Sequence, residues 1–269
     1  VDVGGVLLGS AQPVGVQWMT TTDTAAPDAT GIQVARLAHA GSQLAFESEV
    51  TLEKADGPAR VVAELHWSLL DSPFYRHGLP HDPFNAIVGP RTIGWISSRG
   101  ANGQVNLAPY SFFNAFCYVP PIIGFSSTNW KDSAGNIQDT GEFVWNLATM
   151  DLAKQMNATA AHVARDVDEF KIAGLTAAPC RLVNVPRVAE SPVAFECKLT
   201  QIVQLQGANG EKAQAWVTFG EVVAVHIDKA FIKDGVYQTG LAHPIVRAGR
   251  RGDYFEIKPE NMFEMIRPD

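Results

Sequence analysis

The sequence predicts a mainly β protein, a closed antiparallel barrel with a few peripheral helices, preceded by a separate antiparallel β-meander. Two observations carry most of this. Apolar residues recur with a period of two over many short stretches, and turn signals such as Asp56-Gly57 and Asn102-Gly103 fall between them. A third is that helical patterns are confined to a few short patches.

The chain has 269 residues, 46% hydrophobic and 18% charged, the balance of a folded globular protein. That length suffices for one large domain or one domain with a smaller piece. A formal charge of −7 argues against non-specific nucleic-acid binding, which needs a basic surface. No apolar run approaches the ~18 residues of a membrane helix. No secretory signal opens at Val1, so a cytoplasmic location is expected. Cys117, Cys180 and Cys197 are odd in number and show neither CxxC nor a zinc-ligand spacing. They are expected to be reduced, buried and apolar in role.

In chain order, residues 6–11 suggest part of a helix, and residues 14–22, 32–40, 43–52 and 59–67 read as strands. Leu44, Phe46, Val50 and Leu52 alternate with Ala45, Glu47, Glu49 and Thr51, giving one apolar face. Residues 68–90 form a connector rich in Pro, Gly and Asp. His77 and His81 within it are spaced like helical metal ligands, but Gly78 and Pro80 argue against the helix, so no metal is expected. Strands follow at 92–98, 105–108, 121–126, 142–147, 193–205 and 215–227. Helical patches fall at 132–140, 150–159 and 167–173. After Ile227 the pattern becomes irregular. The chain thus divides into a β-rich segment, 1–67, and a main domain, 68–269.

The chemistry concentrates just past the strand at 121–126. Ser126, Ser127, Lys131 and Ser133 combine hydroxyls, a point charge and the free amides of a helix start near Asp132, which suits a phosphate. Asn106 offers both a donor and an acceptor. Asn146 reads either as a site residue or as a polar group satisfying backbone, and Asp168 and Glu169 as helix caps. Phe112, Phe113 and Phe116 are expected in the core or at a dimer contact. GxSxG and GxGxxG are both absent.

Two resemblances follow from longer motifs. DVGGVLL with RLAHAGSQLAFESEVTLEKADGPARVVAELHW resembles half of a hotdog-fold thioesterase or acyl-binding domain, in which an acidic residue at the position of Asp2 often serves catalysis. An ordinary β-meander is the alternative. From about His77 onward, HGLPHDPFNAIVGPRTIGWISS, NGQVNLAPYSFFNAF, PPIIGFSS, KDSAGNI, TGEFVWNLAT, DEFKIAGLT, VPRVAESPVAFECKL and FGEVVAVHID occur in the order of the flavin reductase-like family. That resemblance implies an FMN-binding split barrel, FMN rather than FAD, with NAD(P)H as co-substrate. It further implies a homodimer and either a partner oxygenase or a flavoredoxin-like electron-carrier role. It assigns Asn106, Ala108, Pro109, Tyr110 and Ser111 to the flavin ring, and Ser126, Ser127, Lys131 and Ser133 to the phosphate. Arg91 and Thr92 fall to the ribityl or phosphate, and Arg247, near Tyr254, to the nicotinamide or flavin face. The family commonly has Pro-Arg-Pro where this chain has Pro90-Arg91-Thr92.

Overall fold

The computed structural model describes residues 84–268 and, ahead of them, five strand segments. It divides into two compact units, Val1–Asp82 and Pro83–Asp269. In the first, β1 (Asp2–Val3) pairs antiparallel with β2 (Val6–Leu7). The helix expected at 6–11 therefore gives way to strand at its start. Only Gly4 and Gly5 lie between Val3 and its partner Val6, and a glycine pair favours a hairpin. Strands β3 (Leu37–Ala38), β4 (Ala45–Glu53) and β5 (Arg60–His66) form a three-stranded antiparallel sheet in that order. The β4–β5 register closes at Glu53 opposite Arg60, as the Asp56-Gly57 signal requires. His77 and His81 lie outside the described residues.

The second unit opens with a short helix, α1 (Phe84–Ile87), and the strands β6 (Gly94–Arg99), β7 (Val105–Tyr110), β8 (Phe113–Cys117) and β9 (Ile122–Thr128). Helix α2 (Asp132–Thr140), strand β10 (Glu142–Asn146) and the short helices α3 (Ala153–Ala158) and α4 (Glu169–Ile172) follow. A small ribbon, β11 (Ala177–Ala178) with β12 (Arg187–Val188), precedes the long hairpin of β13 (Val193–Gln206) and β14 (Lys212–Ile227). Two further ribbons end the unit: β15 (Ile232–Lys233) with β16 (Val236–Tyr237), and β17 (Ile245–Arg247) with β18 (Tyr254–Glu256). The region after Ile227 is thus less irregular than the sequence suggests.

Seven strands make one antiparallel sheet in the order β7-β6-β10-β13-β14-β9-β8. Its two edges, β7 and β8, are consecutive in the chain, joined only by Ser111 and Phe112. So short a connection spans at most about 10 Å. The sheet must therefore curl until its edges nearly meet, which leaves a barrel open along one seam. Thr92 ties that seam, its hydroxyl donating to the Phe113 carbonyl at 2.7 Å. The sequence pattern does not reveal β8, because this edge strand leaves most of its side chains in solvent.

Both faces of β6 are covered. Inside lie Ile96, Tyr110, Ile123, Phe125, Ile137, Phe143 and Cys197. Outside, Ile93, Trp95 and Leu107 pack with Leu152, Met156 and Phe170 from the short helices. Strict alternation along β6 sends Trp95 and Ile96 to opposite clusters. Gly94 permits the ring of Phe113 to cross the backbone, since a Cβ there would sit 2.8 Å from Phe113 Cδ2. Phe113 then stacks on Trp145 at 5.5 Å.

Two expectations need correction and one is narrowed. Phe112 and Phe116, expected in the core or at a dimer contact, are exposed, Phe116 by 57%, which excludes the core. Cys117, on the same strand, is exposed rather than buried, and Cys180 is only half-buried. The helix expected at 150–159 is shorter, because Leu152 and Ala153 bond back three residues as turns before α3 begins.

Candidate functional site

Helix α2 starts where β9 ends. Asn129 takes a left-handed φ of 64°, a conformation asparagine tolerates, and reverses the chain. Trp130 then meets Trp216 edge-on at 5.4 Å, and Lys131 becomes the N-cap. Ser133, Ala134, Asn136 and Ile137 face inward, a spacing that gives the helix one buried side. Gly141, at φ 73°, ends it, and its N–H bonds to the Ile137 carbonyl.

This start is electrically open. The first-turn amides of Asp132, Ser133 and Ala134 cannot bond within the helix, and no acceptor for them occurs among the described residues. Lys131 offers no side-chain cap; its Nζ stands 5.9 Å from the Tyr110 ring centroid. Among the described residues no carboxylate lies within ion-pair distance of Lys131. Asp132 would repel an anion here, but Arg165 pairs with it at 3.3 Å. Arg165 also donates to Asn136 Oδ1 at 3.4 Å, fixing the guanidinium beside the helix start.

Beneath lies a buried hydroxyl network. Asn106 Nδ2 donates to Ser133 Oγ at 2.8 Å, and Ser127 Oγ donates to the Asn129 carbonyl at 2.9 Å. The Tyr110 hydroxyl reaches both Ser133 and Ser127. Burial, together with the charges of Asp132 and Glu169, outweighs those two bonds and pushes the phenol up to about 12. Tyr110 therefore stays protonated, with its ring in the barrel core 4.6 Å from that of Phe125. Ser127 and Ser133 turn their hydroxyls into this network, while Ser126 and Lys131 stand nearer solvent.

Strand β7 is pinned from outside. The Leu107 amide donates to Glu169 Oε2 at 3.1 Å. Burial raises the Glu169 carboxyl above its ordinary value. Glu169 is thus a strand anchor rather than a cap; Asp168 is the cap, accepting from the Phe170 amide at 3.0 Å. Asn146 is structural, donating to the Trp95 carbonyl and accepting from the Val188 amide.

The remaining candidates gather at the seam. Arg91 and Arg247 exchange backbone hydrogen bonds at 2.8 and 2.7 Å. Burial, then the nearby Arg247 charge, lowers the Arg91 guanidinium from its ordinary value. Arg91 lies over the Phe112 ring and bonds the Asn85 and Val88 carbonyls, while Arg247 stacks 4.6 Å from the Tyr254 ring centroid. The Thr92 hydroxyl is committed to the seam. Ala108 and Pro109 run along β7 opposite Ile96 and Trp95, and Ser111 sits in the edge-to-edge connection. The structure thus gathers Asn106, Tyr110, Ser127, Lys131 and Ser133 into one cluster, and Arg91, Thr92 and Arg247 into another. Sequence reasoning missed Arg165 and the anchoring role of Glu169. Only the DEF stretch after Val167 hinted at the second, and nothing local marks the first.

The donor set fits a phosphate monoester: amides, a lysine with no carboxylate partner among the described residues, and a neutral hydroxyl floor. Residues 89–245 match the family described as flavin reductase like domain. An uncharacterised protein of Deinococcus radiodurans is 35% identical over 194 residues, covering 68% of this chain and 82% of that protein. Among solved structures, nitrilotriacetate monooxygenase component B from Bacillus cereus superposes with a TM-score of 0.63 at 28% identity, over 67% of this chain and 90% of that one. A protein with a split barrel domain from Shewanella frigidimarina superposes with a TM-score of 0.58 at 23% identity, over 69% and 88%. In this chain the curled sheet is open between β7 and β8. Among the described residues no helix is long and apolar enough to cross a membrane.

Proposed function

The chain belongs to the flavin reductase-like family, and from that premise we propose that it is an FMN-binding NAD(P)H:flavin oxidoreductase. The observation that carries the reading is the start of α2, where three first-turn amides and Lys131 have no acceptor among the described residues and stand beside a buried hydroxyl floor. Those groups hold the phosphate, and Arg165 keeps Asp132 from opposing it. A charge-assisted bond from Lys131 contributes about 1.5–3 kcal/mol. Ser126 adds a hydroxyl at the rim. Asn106, Ala108, Pro109 and Ser111 border the ring, Asn106 being held in place by Ser133. FMN held there would supply two-electron chemistry, with a reduced nicotinamide as the hydride donor. The protein's part is to position the two rings and exclude water. Arg91 and Arg247, each backed by an aromatic ring, are placed to steer the anionic nicotinamide nucleotide to the seam.

The likeness to a monooxygenase component B supports delivery of reduced flavin to an oxygenase partner. The exposed Phe112, Phe116, Tyr118 and Val119 support a homodimer contact along β8. The test is FMN titration followed by fluorescence quenching, then NADH and NADPH oxidation with and without FMN. Saturable quenching with FMN-stimulated oxidation is expected. Binding without nicotinamide oxidation would instead favour a flavoredoxin-like electron carrier, and no binding would overturn both.

A further inference from the structure

We propose that Cys180, Glu196 and His226 form a binding site for one borderline-soft divalent cation, zinc being the natural fit. The sheet register places two of the three side by side. Glu196 on β13 pairs with Ala224 on β14, and His226 lies two residues further along, on the same face. The connection between β11 and β12 brings Cys180 over them, so the sulfur, carboxylate and imidazole donor atoms all lie within 4.8 Å of one another. In a tetrahedral site with bonds of about 2.0–2.3 Å, such atoms stand roughly 3–4 Å apart. A small contraction at the sulfur, and a small widening of the 2.6 Å contact between His226 Nε2 and Glu196 Oε1, reaches that geometry.

The set has the chemistry of a cation site. Glu196 is fully buried, yet its carboxyl is held below its ordinary value. Burial works against the charge, but the amides of Arg181, Leu182 and Val183 and the His226 ring outweigh it. Those amides, at 2.6–3.0 Å, fix the carboxylate as outer-sphere donors fix a metal ligand. The Cys180 thiol is pushed up to about 12 by burial and by the Glu196 charge. A bound cation reverses that balance: the ion replaces the proton between His226 and Glu196, leaving a neutral imidazole protonated at Nδ1, and the thiol proton leaves to solvent. Arg187 is a charge near Cys180 that opposes a cation. Asp151, Glu190 and Asp228 offset it from the walls of an adjoining cleft of about 680 Å³. His226 is part of that wall, which gives the ion a route in from solvent. Three protein ligands leave a fourth position for water. The site lies roughly 30 Å along β14 from the Trp216 end, where the phosphate cradle sits, so it is independent of the flavin reading.

The experiment adds Co²⁺, then Zn²⁺ in competition with a chromophoric chelator, to the full chain after chelator treatment. One equivalent of Co²⁺ should give a near-ultraviolet thiolate-to-cobalt charge-transfer band. Cys180→Ser should abolish the band, and His226→Gln should weaken zinc binding by about tenfold or more. Cys117→Ser and Cys197→Ser should leave both readouts unchanged. Both ligand variants keep Glu196 and its three amides, and circular dichroism with FMN quenching confirms their fold. No charge-transfer band in the parent protein, a band surviving in Cys180→Ser, or zinc affinity unchanged in His226→Gln would overturn the proposal.

Discussion

The barrel carries two polar clusters at opposite ends of β14, and they are built with opposite electrical sense. At the start of α2 the interior holds neutral groups: the Asn106 amide and the Tyr110, Ser127 and Ser133 hydroxyls. The positive charges of Lys131 and Arg165 stand at the rim. At Glu196 a full negative charge sits inside, and three amides and an imidazole converge on it. A buried charge has to be met or it destabilises the fold, so the second cluster gathers donors around its carboxylate. A neutral floor carries no such demand, and the helix start above it presents amides without an acceptor among the described residues. The first cluster is therefore suited to an anion, and the second to a fixed negative charge that holds structure and would attract a cation.

The largest break in that contrast is Glu196→Gln, which should lower unfolding free energy by about 3 kcal/mol or more, read from the denaturant midpoint. Glutamine keeps the shape but turns an NH₂ toward backbone donors. The pH dependence has a definite sign. Glu196 is depressed below its ordinary 4.5, so its contribution is present above that pH and lost as pH falls through the lower folded value. The difference between parent and Glu196→Gln should therefore shrink on acidification, and a constant difference would show that the charge is not what stabilises.

Lys131→Ala comes next. It should weaken FMN binding by about 1.5–3 kcal/mol, measured by quenching, while shifting stability by under about 0.5 kcal/mol. Unchanged affinity would mean that the cradle is assigned wrongly. Tyr110→Phe is the smallest and sharpest case. Loss of its hydroxyl from the floor should cost about 1 kcal/mol of stability, because Ser127 and Ser133 each lose a partner. FMN affinity should fall far less than in Lys131→Ala. An equal fall would place the hydroxyl at the ligand rather than beneath it.

Much of the main domain was legible because its signals are local. Helix α2 begins at Asp132 and ends before Gly141, as the sequence predicts, since a left-handed cap and a one-sided apolar pattern are written in neighbouring residues. The strands at β6, β9, β10, β13 and β14 follow from alternation in the same way. Strand β8 was not legible: an edge strand with an uncovered face has no reason to alternate, and its aromatics read equally as core or as a dimer contact. The roles of Arg165 and Glu169 were hidden because each acts on a residue far off in sequence, Asp132 and Leu107.

The stretch from Ser126 to Ser133, proposed as the phosphate cradle, divides between local sequence and tertiary structure. The sequence by itself determined that hydroxyls, a lysine and a helix start follow one strand, because those choices are contiguous. Only the tertiary structure decided which hydroxyls face the floor and which the rim. That depends on Tyr110 reaching across from β7 and on the sheet curling until β7 and β8 nearly meet. The same holds for Cys180, Glu196 and His226, which no spacing announces. They come together only because β13 pairs with β14 in one register and the β11–β12 connection folds over it.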